Sequence, residues 1–180
     1  MLYIFLATGF EETEALGTLD ILRRIGLSAQ TVSITGDRCV MGAHQVPVIA
    51  DILIEDVKIE ESECLILPGG LPGSQYLLEC ASLRDLLLQQ FGAGKRVAAI
   101  CAGPMVLGAH GILQGKQATC YPGFEDRMIG ATPVNAKVVV DGNVITGKGP
   151  GAVFDFGFAI AEQFAGKEAV AALKKAMIWN

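Results

Sequence analysis

Apolar positions keep two rhythms along this chain, and the rhythms alternate. Short, mostly apolar runs rich in β-formers fall at residues 3–7, 30–34, 63–67 and 97–100, the pattern of strands buried on both faces. Between them, Ala15, Leu16, Leu19 and Leu22, and later Leu83, Leu86, Leu87 and Phe91, recur at helical spacing and give each helix one buried face. A capping-box pattern, Thr8-Gly9-Phe10-Glu11, opens the first helix, which stops near Gly26. Gly92 and Gly94 close the second. Residues 39–50 predict a hairpin that turns through polar residues 42–45. Residues 117–120, 137–140 and 144–146 predict further strands, the last two joined by Asp141-Gly142-Asn143. A small-residue helix follows Cys101, and helices over 152–164 and 168–177 close the chain.

Strands that alternate with helices predict the α/β class: a doubly wound, mainly parallel sheet with helices on both faces, in one domain spanning 1–180. Ligands of such sheets bind outside the carboxyl ends of the strands. Three turns, at 7–14, 68–73 and 100–104, lie at such ends and are expected to meet in one crevice.

Composition narrows the function classes. With 51% apolar and 18% charged residues the 180-residue chain is not disordered. A net charge of −5, with both signs interspersed, leaves no basic patch for nucleic acid. The longest apolar run, 97–113, is broken by Gly103, Pro104, Gly108, His110 and Gly111, so no membrane span is expected. Residues 1–7 lack the basic flank and cleavage site of a signal peptide, which predicts a cytoplasmic protein. The cysteines are Cys39, Cys64, Cys80, Cys101 and Cys120. Their odd number and the lack of a CxxC pair predict free thiols, no disulfide and no metal site, with all but Cys101 acting as small buried hydrophobes.

Candidate chemistry centres on Ala98-Ala99-Ile100-Cys101-Ala102-Gly103-Pro104. A buried strand runs straight into a nucleophilic residue, and small residues then open a helix, the plan of a nucleophile elbow. Ala102 and Gly103 leave room for strained backbone at Cys101, and the helix N-terminus favours a thiolate. The residues alone leave this open, because small buried thiols are common. Glu14 falls on a helix flank with Thr18, Ile21 and Ile25 that carries no other charge. A carboxyl group there should stay protonated to a higher pH than usual and serve as acid, base or hydrogen-bond donor. Dipole stabilisation, which accounts for Glu11 and Glu12, is the alternative for Glu14. Gly70, in Leu67-Pro68-Gly69-Gly70, can offer its backbone N–H together with that of Ala102 as an oxyanion hole, or the segment is a plain turn. Gly147-Lys148-Gly149-Pro150-Gly151 matches no phosphate-loop pattern and reads as a tight connection. His110 lies nine residues beyond Cys101 and reads as structural.

Taken in order, Gly9-Phe10-Glu11-Glu12-Thr13-Glu14, Leu67-Pro68-Gly69-Gly70, the Cys101 segment and Gly149-Pro150-Gly151 resemble the ThiJ/PfpI superfamily over nearly the whole chain, in particular its parkinsonism-associated deglycase branch. The resemblance implies a flavodoxin-like sandwich, a homodimer, and neither metal nor organic cofactor. It implies Cys101 as nucleophile beside a protonated Glu14, the amides of Gly70 and Ala102 at the oxyanion, and Gly69, Tyr121 and His44 around the pocket. The activities it implies are glutathione-independent glyoxalase, protein deglycase and protection against oxidative stress, with a small-molecule carbonyl as substrate. Two other readings stand beside these: a non-enzymatic redox sensor or chaperone working through oxidation of Cys101, and a cysteine peptidase or amidotransferase-like hydrolase. The chain departs from the family at three positions. Ala102 stands where the protease-like branch has a His, Tyr121 precedes Pro122 where many deglycase-branch members have a His, and His44 replaces a hairpin Arg. Together they argue against a Cys–His dyad. Ile21 and Ile25, off the Leu stripe, predict a second apolar flank that another copy of the chain would cover.

Overall fold

The computed structural model describes residues 1–179. In chain order the elements are β1 (Leu2–Leu6), α1 (Glu12–Arg24), β2 (Ala29–Ser33), β3 (Cys39–Met41), β4 (Pro47–Ile49), β5 (Ile52–Leu53), β6 (Cys64–Leu67), α2 (Gly73–Glu79), α3 (Ala81–Gly92), β7 (Arg96–Ile100), α4 (Pro104–Ala109), β8 (Gln117–Ala118), β9 (Thr132–Pro133), β10 (Val138–Asp141), β11 (Val144–Gly147) and α5 (Val153–Ala176). Seven strands make one sheet in the order β10-β11-β7-β6-β1-β2-β5, parallel throughout except for the β10–β11 hairpin. It is the doubly wound, flavodoxin-like arrangement that the alternating rhythms predict.

The uniformly apolar strands follow from this layering, because successive side chains point to opposite faces and both faces are covered. Leu2, Ile4, Leu6, Ile66 and Ile100 pack under α1 and α5 with Leu22, Phe156 and Ile160. Tyr3, Phe5, Leu65, Leu67 and Val97 pack under α2, α3 and α4 with Leu77, Leu87 and Val106. Among the described residues no helix is long and apolar enough to cross a membrane.

Several local expectations need correction. The cap of α1 is Glu11, whose carboxylate accepts the Glu14 N–H at 2.6 Å. Thr8 cannot cap it, because Gly9 (φ 83°) and buried Phe10 first turn the chain away from β1. The short helix α2 carries too few apolar positions to stand out in the sequence. Only Gln117 and Ala118 of the 117–120 run form a strand, pairing with β9 in a separate two-stranded sheet. The two closing helices do lie where the sequence placed them, as the halves of α5 on either side of a break where Gly166 takes φ 84°. Cys39 is exposed on the β3–β4 hairpin, not buried.

The second flank of α1 is also different from the sequence reading. Ile21 is fully buried, and its side chain meets Gly157 of α5 so closely that a Cβ on Gly157 would lie 2.8 Å from Ile21 Cδ1. Ile25 packs into the same cluster. The chain's own α5 covers the flank assigned to a second copy. Ile21→Ala is accordingly expected to cost about 2–5 kcal/mol of stability, the range for emptying a well-packed aliphatic site. Urea unfolding checks this. A loss below about 1 kcal/mol, or one that depends on protein concentration, would put the helix face at an interface instead.

Candidate active site

The sheet changes direction of winding at β1: the chain leaves it for β2 on one side and later returns to β6 and β7 on the other. The loops after β1, β6 and β7 therefore converge at the carboxyl edge, where a crevice opens. Backbone hydrogen bonds tie the first loop to the second and the third to the end of β11. Glu11 N donates to Gly69 O at 2.9 Å, and Cys101 N donates to Gly147 O at 2.9 Å.

Cys101 follows β7 directly and has φ 63°, the left-handed region that a residue with a Cβ rarely adopts. Strain of this kind costs on the order of 1–3 kcal/mol and persists only where the surroundings enforce it. Here they do. Gly103 lies so close to Leu67 O and Ile100 O that a Cβ there would sit 2.8 and 2.9 Å from them. Only glycine at 103 lets the chain turn back against β6. The turn leaves Cys101 9% exposed, at the wall of a pocket. The backbone N–H groups of Ala102 and Gly70 lie near enough to the sulfur to draw its pKa down.

Glu14 enters from α1 and is buried. Its Oε2 accepts the Gly69 N–H at 2.7 Å, while Oε1 is buried with no partner of regular geometry, and the Cys101 thiol is the side chain that couples to this carboxyl group. Gly69 is the hinge of the arrangement: a Cβ there would stand 2.6 Å from Cys101 Cβ and 2.7 Å from Glu14 Oε2. Burial, reinforced by the nearby Glu11 charge, raises the Glu14 pKa to about 7, against the hydrogen bonds from Gly69 and Cys101. The Cys101 thiol is pushed up as well, first by burial and then by the Glu14 charge, while the Ala102 and Gly70 amides oppose the shift. Burial thus works against the expected helix-dipole thiolate. Helix α4 has six residues, and burial outweighs it. The pair instead sets a thiol whose pKa burial raises beside a carboxyl group whose own pKa is raised to about 7.

Gly70, Leu71, Cys101, Ala102, Tyr121 and Phe124 line a pocket of about 210 Å³ over the thiol. Gly69 lies beneath it, and Tyr121 is tied to the elbow by donating its N–H to Cys101 O at 2.9 Å. His44 does not line the pocket. Its ring Nδ1 is 2.7 Å from Glu12 Oε2, which holds it on the hairpin and raises its pKa through that hydrogen bond and the Glu12 charge. His110 ends α4 away from the thiol. Leu71 and Phe124 are pocket residues that the sequence reading missed; only their places, directly after Gly70 and soon after Tyr121, hinted at it. Glu11, Glu12 and His44 bring donor atoms within 4.8 Å of one another, the place where a cation would find ligands, although Glu14 N and His44 already engage the two carboxylates. Of the other thiols, burial pushes Cys64 up to about 12 and Cys120 up to about 11.

The DJ-1/PfpI family model matches residues 1–163. The protein dj-1beta of Drosophila melanogaster is 37% identical over 177 residues, 97% of this chain and 95% of the relative. Its crystal structure covers 99% of this chain and 97% of its own, with a TM-score of 0.94 at 35% identity. A glutathione-independent glyoxalase of Caenorhabditis elegans is 38% identical over 169 residues, 92% of this chain and 88% of the relative. A DJ-1 superfamily protein from Salmonella typhimurium has a TM-score of 0.94 at 33% identity, covering 99% of this chain and 98% of its own.

Proposed function

This chain belongs to the DJ-1/PfpI family, and on that premise we propose a cysteine-dependent enzyme or stress protein that acts on small reactive carbonyls, converting 2-oxoaldehydes to 2-hydroxy acids without glutathione. One observation carries the reading: the buried Glu14 carboxyl group, poised at about 7, sits against the Cys101 thiol. A base with a pKa near the working pH combines enough ionised form with enough basicity, so its raised pKa is an asset.

In this scheme Cys101 Sγ bonds to the aldehyde carbon while its proton passes to Glu14. The developing oxyanion takes the N–H groups of Gly70 and Ala102, which in the resting site lie near the sulfur. After proton return to that oxygen, Glu14 removes the hydrogen from the former aldehyde carbon as a proton and redelivers it to the neighbouring carbon, while the hydroxyl proton on the first oxygen passes to the second oxygen. The first carbon is oxidised to a thioester and the second reduced to an alcohol, so no external oxidant is required. Water then cleaves the thioester and frees the thiol. Gly69 positions Glu14, Tyr121 walls the pocket, and His44 acts at most through Glu12.

We read residues 1–180 as one domain, supported by a sheet with strands from both halves of the chain. Five unpaired thiols support a reducing, cytoplasmic setting. For a homodimer the support now lies with the β3–β4 hairpin, which exposes Met41, Val46 and Ile49. A second reading, redox sensing, draws on the same site: the two amides and the Glu14 proton would hold the oxygens of a Cys101 sulfinate.

A panel of a 2-oxoaldehyde, peptides and simple amides tests the proposal. Turnover is expected for the 2-oxoaldehyde alone. Cleavage of peptides or amides would move the protein to the hydrolases, and a wholly silent panel with efficient sulfinate formation would leave the sensor reading.

A further inference from the structure

The pocket over Cys101 does not end at the thiol. Two of its walls, Leu71 and Phe124, are shared with a second cavity of about 490 Å³, which continues past Pro72, Gln75, Met105 and Arg127. Arg127 is the one charged side chain in that lining. Leu71 is 55% exposed, whereas Met105 is 2% exposed, so a fixed apolar floor lies beside an apolar side chain held in water. Large apolar groups exposed at the mouth of a reactive pocket mark a surface that binds something apolar.

We propose that the Leu71–Met105–Phe124 cavity is a subsite for the alkyl tail of the carbonyl substrate, so that the preferred substrates are 2-oxoaldehydes bearing several carbons beyond the reacting pair. The inference rests on the function proposed above. With the aldehyde carbon bonded to Cys101 Sγ and its oxygen on the Gly70 and Ala102 amides, the second carbon carries its substituent past Leu71 and Phe124. The covalent steps are unchanged; the tail supplies binding only.

Burying one methylene raises affinity about fourfold. Across the series methylglyoxal, 2-oxobutanal, 2-oxopentanal and 2-oxohexanal, kcat/KM is therefore expected to climb by about threefold to fourfold per added carbon. In Leu71→Ser, and independently in Phe124→Ser, the climb per carbon should fall to less than half. Because the readout is a ratio within one protein, general damage by either substitution cancels, and the second variant serves if the first does not fold. A flat series in a wild-type protein that turns over methylglyoxal overturns the subsite, as does an undiminished climb in both variants. Failure to turn over any member, methylglyoxal included, overturns the proposed function and the subsite with it.

Discussion

Glu14→Gln is expected to lower methylglyoxal turnover by about 10²- to 10⁴-fold, the usual worth of a positioned acid–base group, and to change how folding stability responds to pH. The second effect follows from linkage. The folded-state pKa of Glu14, about 7, lies above its ordinary value of 4.5. Between these two values the folded protein holds a proton that the unfolded chain has released. Stability therefore falls as pH rises through that window, and the loss is complete above about 7. The shift corresponds to roughly 3 kcal/mol. A glutamine has nothing to titrate, so the variant should gain on the wild type by about that amount between pH 4 and pH 8. Urea unfolding at the two pH values measures it. Parallel stability profiles would mean that the Glu14 carboxyl group is not held neutral by the fold.

Cys101→Ser should abolish turnover, by about 10⁴-fold or more, the scale on which losing a catalytic nucleophile acts. The fold should stay intact, because serine is nearly the size of cysteine and keeps the left-handed backbone that Gly103 and the β6 edge impose. Two features separate Cys101 from the other thiols: a carboxyl group hydrogen-bonded to it and two backbone amides, not one, beside its sulfur. Cys39 is exposed and has neither, so Cys39→Ser should retain wild-type turnover. Equal losses in the two variants, measured as initial rates in glutathione-free buffer, would remove the special status of Cys101.

Much of this was legible in the sequence, for identifiable reasons. The strand of residues 3–7 is apolar at every position because both faces of the sheet are covered, and that alone points to a parallel α/β fold. A buried strand running into Cys101, Ala102 and Gly103 suggested the elbow but left a plain buried thiol open, and the ordered set of family motifs decided for the elbow. Long-range packing was not legible. Helical spacing separates Ile21 from the Leu stripe, but it cannot tell that Gly157 of α5 leaves a hollow for it. The same limit hid Leu71 and Phe124, which acquire meaning only once the β6 and β7 loops are side by side. Spacing also overstated the helix dipole at Cys101, since the length of α4 and the burial of the sulfur are properties of the folded site.

The most direct test of the central claim is carbon-13 NMR of labelled methylglyoxal incubated with the reduced protein in buffer free of glutathione and other small thiols, beside Cys101→Ser. The wild type is expected to convert the label steadily to lactate, and the variant to leave it as hydrated aldehyde. Lactate formed at equal rates by both, or none from a wild type whose Cys101 is verified as free thiol, would contradict it.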